Sequence, residues 1–258
     1  MFELSVNLEY MFREAGDDLA DRVAQAAKAG FTRAEIFRTD DRDVQTLAKV
    51  LEDHGVELST TVADPRTRLV DPATHEGFLD LFRRAAEGAI ALGCRRVVIG
   101  SGPAVPYQKR AVQLETVARA VSAAADIADE LDVTILIEAV NTRVDHPGVL
   151  FSETQDAVTV VEGVASPRVR LLYDLYHSVA EGENPADVLP RVIGLVDHVQ
   201  IADHPGRGEP GSGNIDWERQ LGLLQDVGYS GVLGIECHPT RASTAEALQY
   251  IRDLCAQS

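Results

Sequence analysis

The sequence predicts an α/β fold: a single (β/α)8 barrel of the TIM type, with its active site at the C-terminal ends of the strands. Three observations carry that prediction. The chain has 258 residues, and eight strand–helix units need about 250. Short β-rich apolar runs alternate with longer amphipathic ones, and the runs start eight times at a spacing of roughly 33 residues. No Gly-rich phosphate turn follows the first run, as an open doubly wound sheet would ordinarily require. One domain, 1–258, accounts for the chain.

The units follow in order. A run at 2–8 precedes a helix at 18–29, where Leu19, Val23, Ala26 and Ala27 recur at helical spacing and mark one buried face. The next run, 34–37, leads to a helix at 44–53, and 56–62 leads to 76–92. The fourth and fifth units pair 96–100 with 110–130 and 133–140 with 153–162. After the run 169–173 the helix is expected within 184–192, in spite of Pro190. The last two units are 196–201 with 217–226 and 232–236 with 244–255. Gly30, Gly55, Gly93, Gly163 and Gly228 fall at or just past helices, where a left-handed C-terminal residue is wanted.

Composition excludes several classes. Hydrophobic residues make up 45% of the chain, enough for a substantial core. No stretch approaches the run of about 18 apolar residues that a membrane span requires, so no membrane partner is expected. The start MFELSVNLEY lacks a basic region followed by an apolar one, so no export signal is expected. Cys94, Cys237 and Cys255 are an odd number without a C-x-x-C pair, which fits a soluble protein of the reducing cytoplasm. The formal net charge is −17, with 41 acidic residues against 24 basic and no Lys/Arg cluster, so no nucleic-acid partner is expected. Homo-oligomerisation is compatible with the sequence and not specified by it.

Several strands end in a polar residue that burial would disfavour. Thr134-Ile-Leu-Ile-Glu138 ends in a carboxylate, as does Leu171-Leu-Tyr-Asp174; Val199-Gln200 places an amide on the seventh strand, and Leu233-Gly-Ile-Glu236 ends the eighth in a second glutamate. In a barrel these ends meet on one face, and strands five to eight are neighbours. Carboxylates buried together repel and cost several kcal/mol apiece unless a cation neutralises them. For any one of them, capping the following helix explains the residue as well; four on successive strands favour a site. Glu138, Asp174, Gln200 and Glu236 are therefore expected to hold one divalent metal ion. Oxygen donors select Mg2+ or Mn2+ over zinc.

His177 lies three residues beyond Asp174 and is expected to touch substrate, although a lone histidine is more often packed structurally. Arg207 sits in a Gly/Pro-rich, shaped loop after strand seven and suits a substrate oxyanion or carboxylate; the alternative is a solvated surface arginine. Glu35, ending strand two, supports the pocket or caps a helix with equal weight. Alternation should turn Cys237 away from the site. His54, His75, His146 and His198 show no ligand spacing and read as structural or solvated, while His204 and His238 are candidates for the mouth.

The segments Ile-Glu138-Ala-Val-Asn141, Tyr-Asp174-Leu-Tyr-His177, Gln200-Ile-Ala-Asp203, Arg207-Gly-Glu-Pro-Gly-Ser-Gly and Glu236 resemble the hydroxypyruvate isomerase family, within the xylose isomerase-like TIM-barrel superfamily of sugar isomerases and epimerases. Ser5-Val-Asn7-Leu8, and Ala-Gly30-Phe followed by Glu35, resemble its N-terminal pattern, so the resemblance spans nearly the whole chain. It implies a metal-dependent isomerase that interconverts aldose and ketose forms of a small hydroxy-carbonyl substrate through an enediolate. Glu138 and Glu236 would be the acid/base pair and also touch the metal, Asp174 and Gln200 would be ligands only, and His177 and Arg207 would bind substrate oxygens. The chemistry is consistent: a proton beside a carbonyl leaves slowly until the carbonyl oxygen is polarised, and carboxylates can then remove and return it.

Two departures bear on the substrate. The family usually carries an Asn-Leu-Pro-type segment and a Gly/Glu/Arg-rich loop after strand three, where this chain has Ser59-Thr-Thr-Val-Ala-Asp-Pro-Arg66. It usually has Tyr-Lys-Pro after the last glutamate, where this chain has Cys237-His238-Pro239. The lost lysine makes a neutral ketose or another polyol carbonyl a reasonable substrate. The alternatives are a ketose 3-epimerase, a polyol dehydratase or other lyase on the same metal, and a phosphodiesterase or abasic-site nuclease of the superfamily, which the acidic charge opposes.

Overall fold

The computed structural model describes residues 2–63 and 67–257; the end of the departing segment 59–66 lies outside them. Eight strands, β1 (Leu4–Asn7), β2 (Arg33–Glu35), β3 (Glu57–Val62), β4 (Arg96–Ile99), β5 (Thr134–Glu138), β6 (Val169–Asp174), β7 (Val196–Ile201) and β8 (Leu233–Ile235), pair in parallel and in chain order into a closed barrel. The helices are α1 (Leu19–Lys28), α2 (Val44–His54), α3 (His75–Ala91), α4 (Arg110–Leu131), α5 (Thr154–Val164), α6 (Leu175–Glu181), α7 (Pro185–Val192), α8 (Trp217–Asp226), α9 (Thr244–Ala247) and α10 (Gln249–Gln257). Outward strand residues such as Val97, Ile135, Leu171 and Val199 share one large buried cluster with Val23, Phe82, Val117 and Leu221 of the helices. Among the described residues no helix is long and apolar enough to cross a membrane.

Register decides what faces the barrel interior. Asp174 pairs with Gln200, and Gln200 with Gly234. Period-two alternation puts Leu136 beneath Glu138, Leu172 beneath Asp174 and His198 beneath Gln200. Leu136, Leu172 and Val98 form a small separate cluster that plugs this part of the barrel. Gly234 leaves room at the same level: a Cβ there would run into the Glu35 carboxylate and come within 2.8 Å of His198 Nε2.

Three local expectations need correction. The sixth unit has two helices, because α6 begins directly at the end of β6; it is seven residues long and too short to show a periodic face. Gly163 lies inside α5, and the left-handed residue that ends that helix is Ala165 at φ 52°. The other four glycines singled out do take positive φ, between 64° and 86°. The expected last helix is broken at Leu248 into α9 and α10. All three cysteines are buried and free, and Cys237 turns from the site, its Sγ 3.9 Å from Met11 Sδ.

Candidate active site

Glu138, Asp174, Gln200 and Glu236 gather at one end of the barrel. Asp174, Gln200 and Glu236 are buried, and the Glu138 side chain keeps 18% of its surface accessible. Asp174 shows how a cap and a site residue coexist: its Oδ1 accepts from the His177 backbone N–H at 3.0 Å and caps α6, while Oδ2 lies 3.8 Å from His177 Nε2. Glu138 Oε1 lies 4.0 Å from the same ring nitrogen. Ligand atoms of Glu138, Asp174 and His177 all lie within 4.8 Å of one another, a grouping able to hold a metal ion.

Gln200 joins the two sides. Its Nε2 donates to Glu35 Oε2 at 2.8 Å and to Glu236 Oε2 at 3.0 Å. Its buried Oε1 has no hydrogen-bond partner. Glu35 is fully occupied as a support and caps no helix: its other oxygen bonds His198 Nε2 at 2.7 Å. Glu236 also accepts from Asn7 Nδ2 at 3.1 Å and is ion-paired with Arg207.

Arg207 is buried, in the left-handed region at φ 52°. Its guanidinium lies 5.7 Å from the Tyr10 ring centroid and 5.3 Å from that of Tyr176, and its Nε has no partner. The loop is held from beneath by Asp203, which accepts from the backbone N–H groups of His204 (2.8 Å), Gly211 (2.7 Å) and Ile215 (3.1 Å) and from Trp217 Nε1 (2.9 Å). His238 N–H donates to the Arg207 carbonyl at 2.8 Å and so ties this loop to the end of β8.

The electrostatics follow from several carboxylates sharing one buried guanidinium. Burial, then Glu236 and Asp174, hold the Glu138 carboxyl well above the usual glutamate range. Burial pushes Glu236 up to about 7 against the pull of Arg207, and raises Asp174 against the same pull. Burial resists charge on Arg207, but Glu236 and Asp174 outweigh it and hold the guanidinium above its ordinary value. His177 is held well below the imidazole range by burial and by Arg207.

Asn7, Tyr10, Asn141, Asp145 and Tyr176 also surround the site; no local pattern in the sequence assigns them a role, because contacts such as Asn7–Glu236 and Asn141–His177 join distant segments. For the Glu35–His198 pair a local signal existed: Gly234 inside a strand marks a close approach by another group. His238 lines the mouth with its ring 4.5 Å from Tyr10, in a cavity of about 320 Å3 that Arg13 and Arg241 also line. The ring of His204 lies 6.0 Å from that of Tyr176.

The family profile of the xylose isomerase-like TIM barrel matches residues 23–254. Hydroxypyruvate isomerase of Escherichia coli is 28% identical over 254 residues, covering 95% of this chain and 96% of its own. The 2-oxo-tetronate isomerase of Haemophilus influenzae is 30% identical over 262 residues, covering 98% and 99%. A crystal structure described as AP endonuclease, family 2, from Brucella melitensis superposes with a TM-score of 0.90 at 29% identity, covering 98% of this chain and 99% of that one. The chain belongs to the hydroxypyruvate isomerase family, within the xylose isomerase-like TIM barrels.

Proposed function

We propose that this chain is an isomerase that interconverts the aldose and ketose forms of a small hydroxy-carbonyl compound, with Mn2+ or Mg2+ held by Glu138, Asp174, Gln200 and Glu236. Relatives named as isomerases match nearly its whole length. The observation that carries the metal is Gln200 Oε1. A buried carbonyl oxygen without a partner costs about 1–3 kcal/mol, and this one stands among carboxylates whose pKa values are raised. A divalent cation removes both costs, and an all-oxygen donor set suits Mg2+ or Mn2+.

When bound, the cation would polarise the substrate carbonyl and stabilise the negative charge of the enediolate. Glu138 and Glu236 then serve as the acid/base pair, one taking the proton from the carbon beside the carbonyl and the other returning a proton to its neighbour. The two carboxylates differ in their partners: Glu236 is ion-paired with Arg207 and accepts from Asn7 and Gln200, whereas the Glu138 side chain keeps 18% of its surface accessible. Arg207 has a free Nε, and the His177 ring faces the Glu138–Asp174 gap; both bind substrate oxygens. The AP endonuclease name of the Brucella structure suggests a phosphate polymer instead, which a net charge of −17 repels.

The test is solvent exchange. The Mn2+-loaded protein is incubated in D2O with hydroxy-carbonyl compounds from trioses to hexoses, and with hydroxypyruvate. Deuterium should enter beside the carbonyl of the true substrate as its isomer accumulates. Inversion without a carbonyl shift would identify a 3-epimerase, and loss of water a lyase. No exchange with any compound would remove the proton-transfer reading.

A further inference from the structure

Asn141 follows β5 and is completely buried. Its side-chain oxygen accepts from two backbone N–H groups, those of Val144 and Asp145, each at 3.0 Å. Its Nδ2 then faces Asp145 Oδ2 at 2.7 Å and His177 Nδ1 at 2.7 Å. Turning the amide over would set nitrogen against two N–H groups and oxygen against a carboxylate, so three of the four contacts would become repulsive. The orientation of the amide is thus dictated by groups whose donor and acceptor roles are fixed. The Asn141 backbone N–H also points at His177 Nδ1, at 3.3 Å, and a backbone N–H can only donate. Two independent donors meet one ring nitrogen.

We infer that Asn141 fixes the tautomer of His177, holding it as an Nε2–H donor to a substrate oxygen and thereby keeping the ring out of the metal's ligand set. A neutral imidazole has one N–H, and with Nδ1 accepting it sits on Nε2. That N–H lies 3.8 Å from Asp174 Oδ2 and 4.0 Å from Glu138 Oε1, too far for a hydrogen bond to either, so neither carboxylate takes it up. Metal ligation through Nε2 would need that nitrogen's lone pair. The proton would then move to Nδ1, against both Asn141 donors. Asn141 is a positioning residue, and Asp145 extends the arrangement by accepting the Tyr176 hydroxyl at 2.7 Å, beside Arg207.

The inference rests on the proposed isomerase reading for its substrate, but the tautomer is measurable without one. Protein labelled with 15N-histidine is examined by long-range 1H–15N correlation, with and without Mg2+, and the His177 signals are assigned by their loss in His177→Gln. The wild-type ring should show Nε2–H in both conditions. Asn141→Asp places an acceptor at Nδ1 and should convert the ring to Nδ1–H or imidazolium, with kcat/KM falling about 10²–10⁴-fold. Asn141→Ala keeps the backbone donor, so it should retain the Nε2–H signature and lose roughly 10-fold. An Nδ1–H ring in the wild type, a change to Nδ1–H on adding Mg2+, or an unaltered tautomer in Asn141→Asp overturns the assignment. Should Asn141→Asp not fold, the wild type with and without Mg2+ and Asn141→Ala still decide it. Absence of isomerase activity with the Nε2–H signature intact would overturn the functional reading alone.

Discussion

Gln200 turns its amide nitrogen onto Glu35 at 2.8 Å, and that contact decides which end of the amide meets the rest of the site. With nitrogen committed to Glu35, the carbonyl oxygen is left without a hydrogen-bond partner, available to the cation proposed above. Glu35→Gln replaces the charged acceptor with an amide that can present either end, so the Gln200 orientation is no longer dictated. Affinity for Mn2+, measured by titration calorimetry, should fall about 10–100-fold, as expected when a group behind a ligand is lost. Unchanged affinity would show that Gln200 is oriented by Glu236 alone.

Glu138→Gln and Glu236→Gln keep a metal-binding oxygen but remove the basic carboxylate. At saturating Mn2+ each should lower turnover about 10²–10⁴-fold. One of them should still exchange the substrate proton in D2O, which identifies the surviving glutamate as the one facing that hydrogen. Asp174→Asn should lose mainly metal affinity and recover much of its rate at high Mn2+. Near-normal turnover in both glutamate variants would remove the two glutamates from the proton-transfer roles proposed for them.

The Glu138 carboxyl also makes the cation-free protein sensitive to pH. Its folded pKa is raised above the ordinary 4.5 by burial and by Glu236 and Asp174. A raised group stabilises the fold fully below its unfolded value and loses that contribution as pH climbs through the folded one. In chelator, Glu138→Gln should therefore unfold at a higher temperature than the wild type at about pH 8, and the gap should close on acidification toward 4.5. Saturating Mg2+ should reverse the order at pH 8, because the wild type gains more from the ion. Equal thermal midpoints across this range would refute the strain attributed to the cluster.

Substrate choice follows from the end of β8. Where the family usually carries lysine, His238 lies against Tyr10, and burial and Arg207 hold its pKa below the usual imidazole value, so it brings no charge at neutral pH. Hydroxypyruvate should therefore be turned over less well than the best uncharged ketose of a panel, compared by kcat/KM. Arg13 and Arg241 line the same cavity, and Arg241 is already 3.5 Å from Glu209. Hydroxypyruvate outperforming every ketose would transfer the lysine's role to those arginines.

The barrel was legible because it is written in short periods: apolar runs that alternate with amphipathic ones, helices that repeat an apolar face, and four runs that carry an oxygen donor at or beside their C-terminal end. Glu138, Asp174, Gln200 and Glu236 could be selected because a buried strand end is an unfavourable place for such groups without a purpose. What stayed hidden has no local period. Asn141 meets His177 across 36 residues, and Glu35 meets His198 across 163; only the closed barrel defines those pairs. Helix α6 escaped because it is only seven residues long and its cap, Asp174, is the end of β6, with its two oxygens divided between cap and site. Gly163 misled because a glycine near a helix end need not be the residue that ends it.

The four donors that converge on Asp203 have a thermodynamic consequence for recognition. A loop that had to order itself around each substrate would surrender conformational entropy at every encounter, and that loss would weaken binding. Here the segment carrying Arg207 is ordered once, when the chain folds, by a carboxylate that touches neither Arg207 nor the gap between Glu138 and Asp174. The guanidinium is held 5.7 Å from the Tyr10 ring centroid and 5.3 Å from that of Tyr176, and on the proposed reading the substrate would encounter a shape instead of making one. Selectivity in such a site resides in the side chains of its rim more than in the movement of its loops, so exchanging rim residues alters what is accepted while the machinery beneath stays the same.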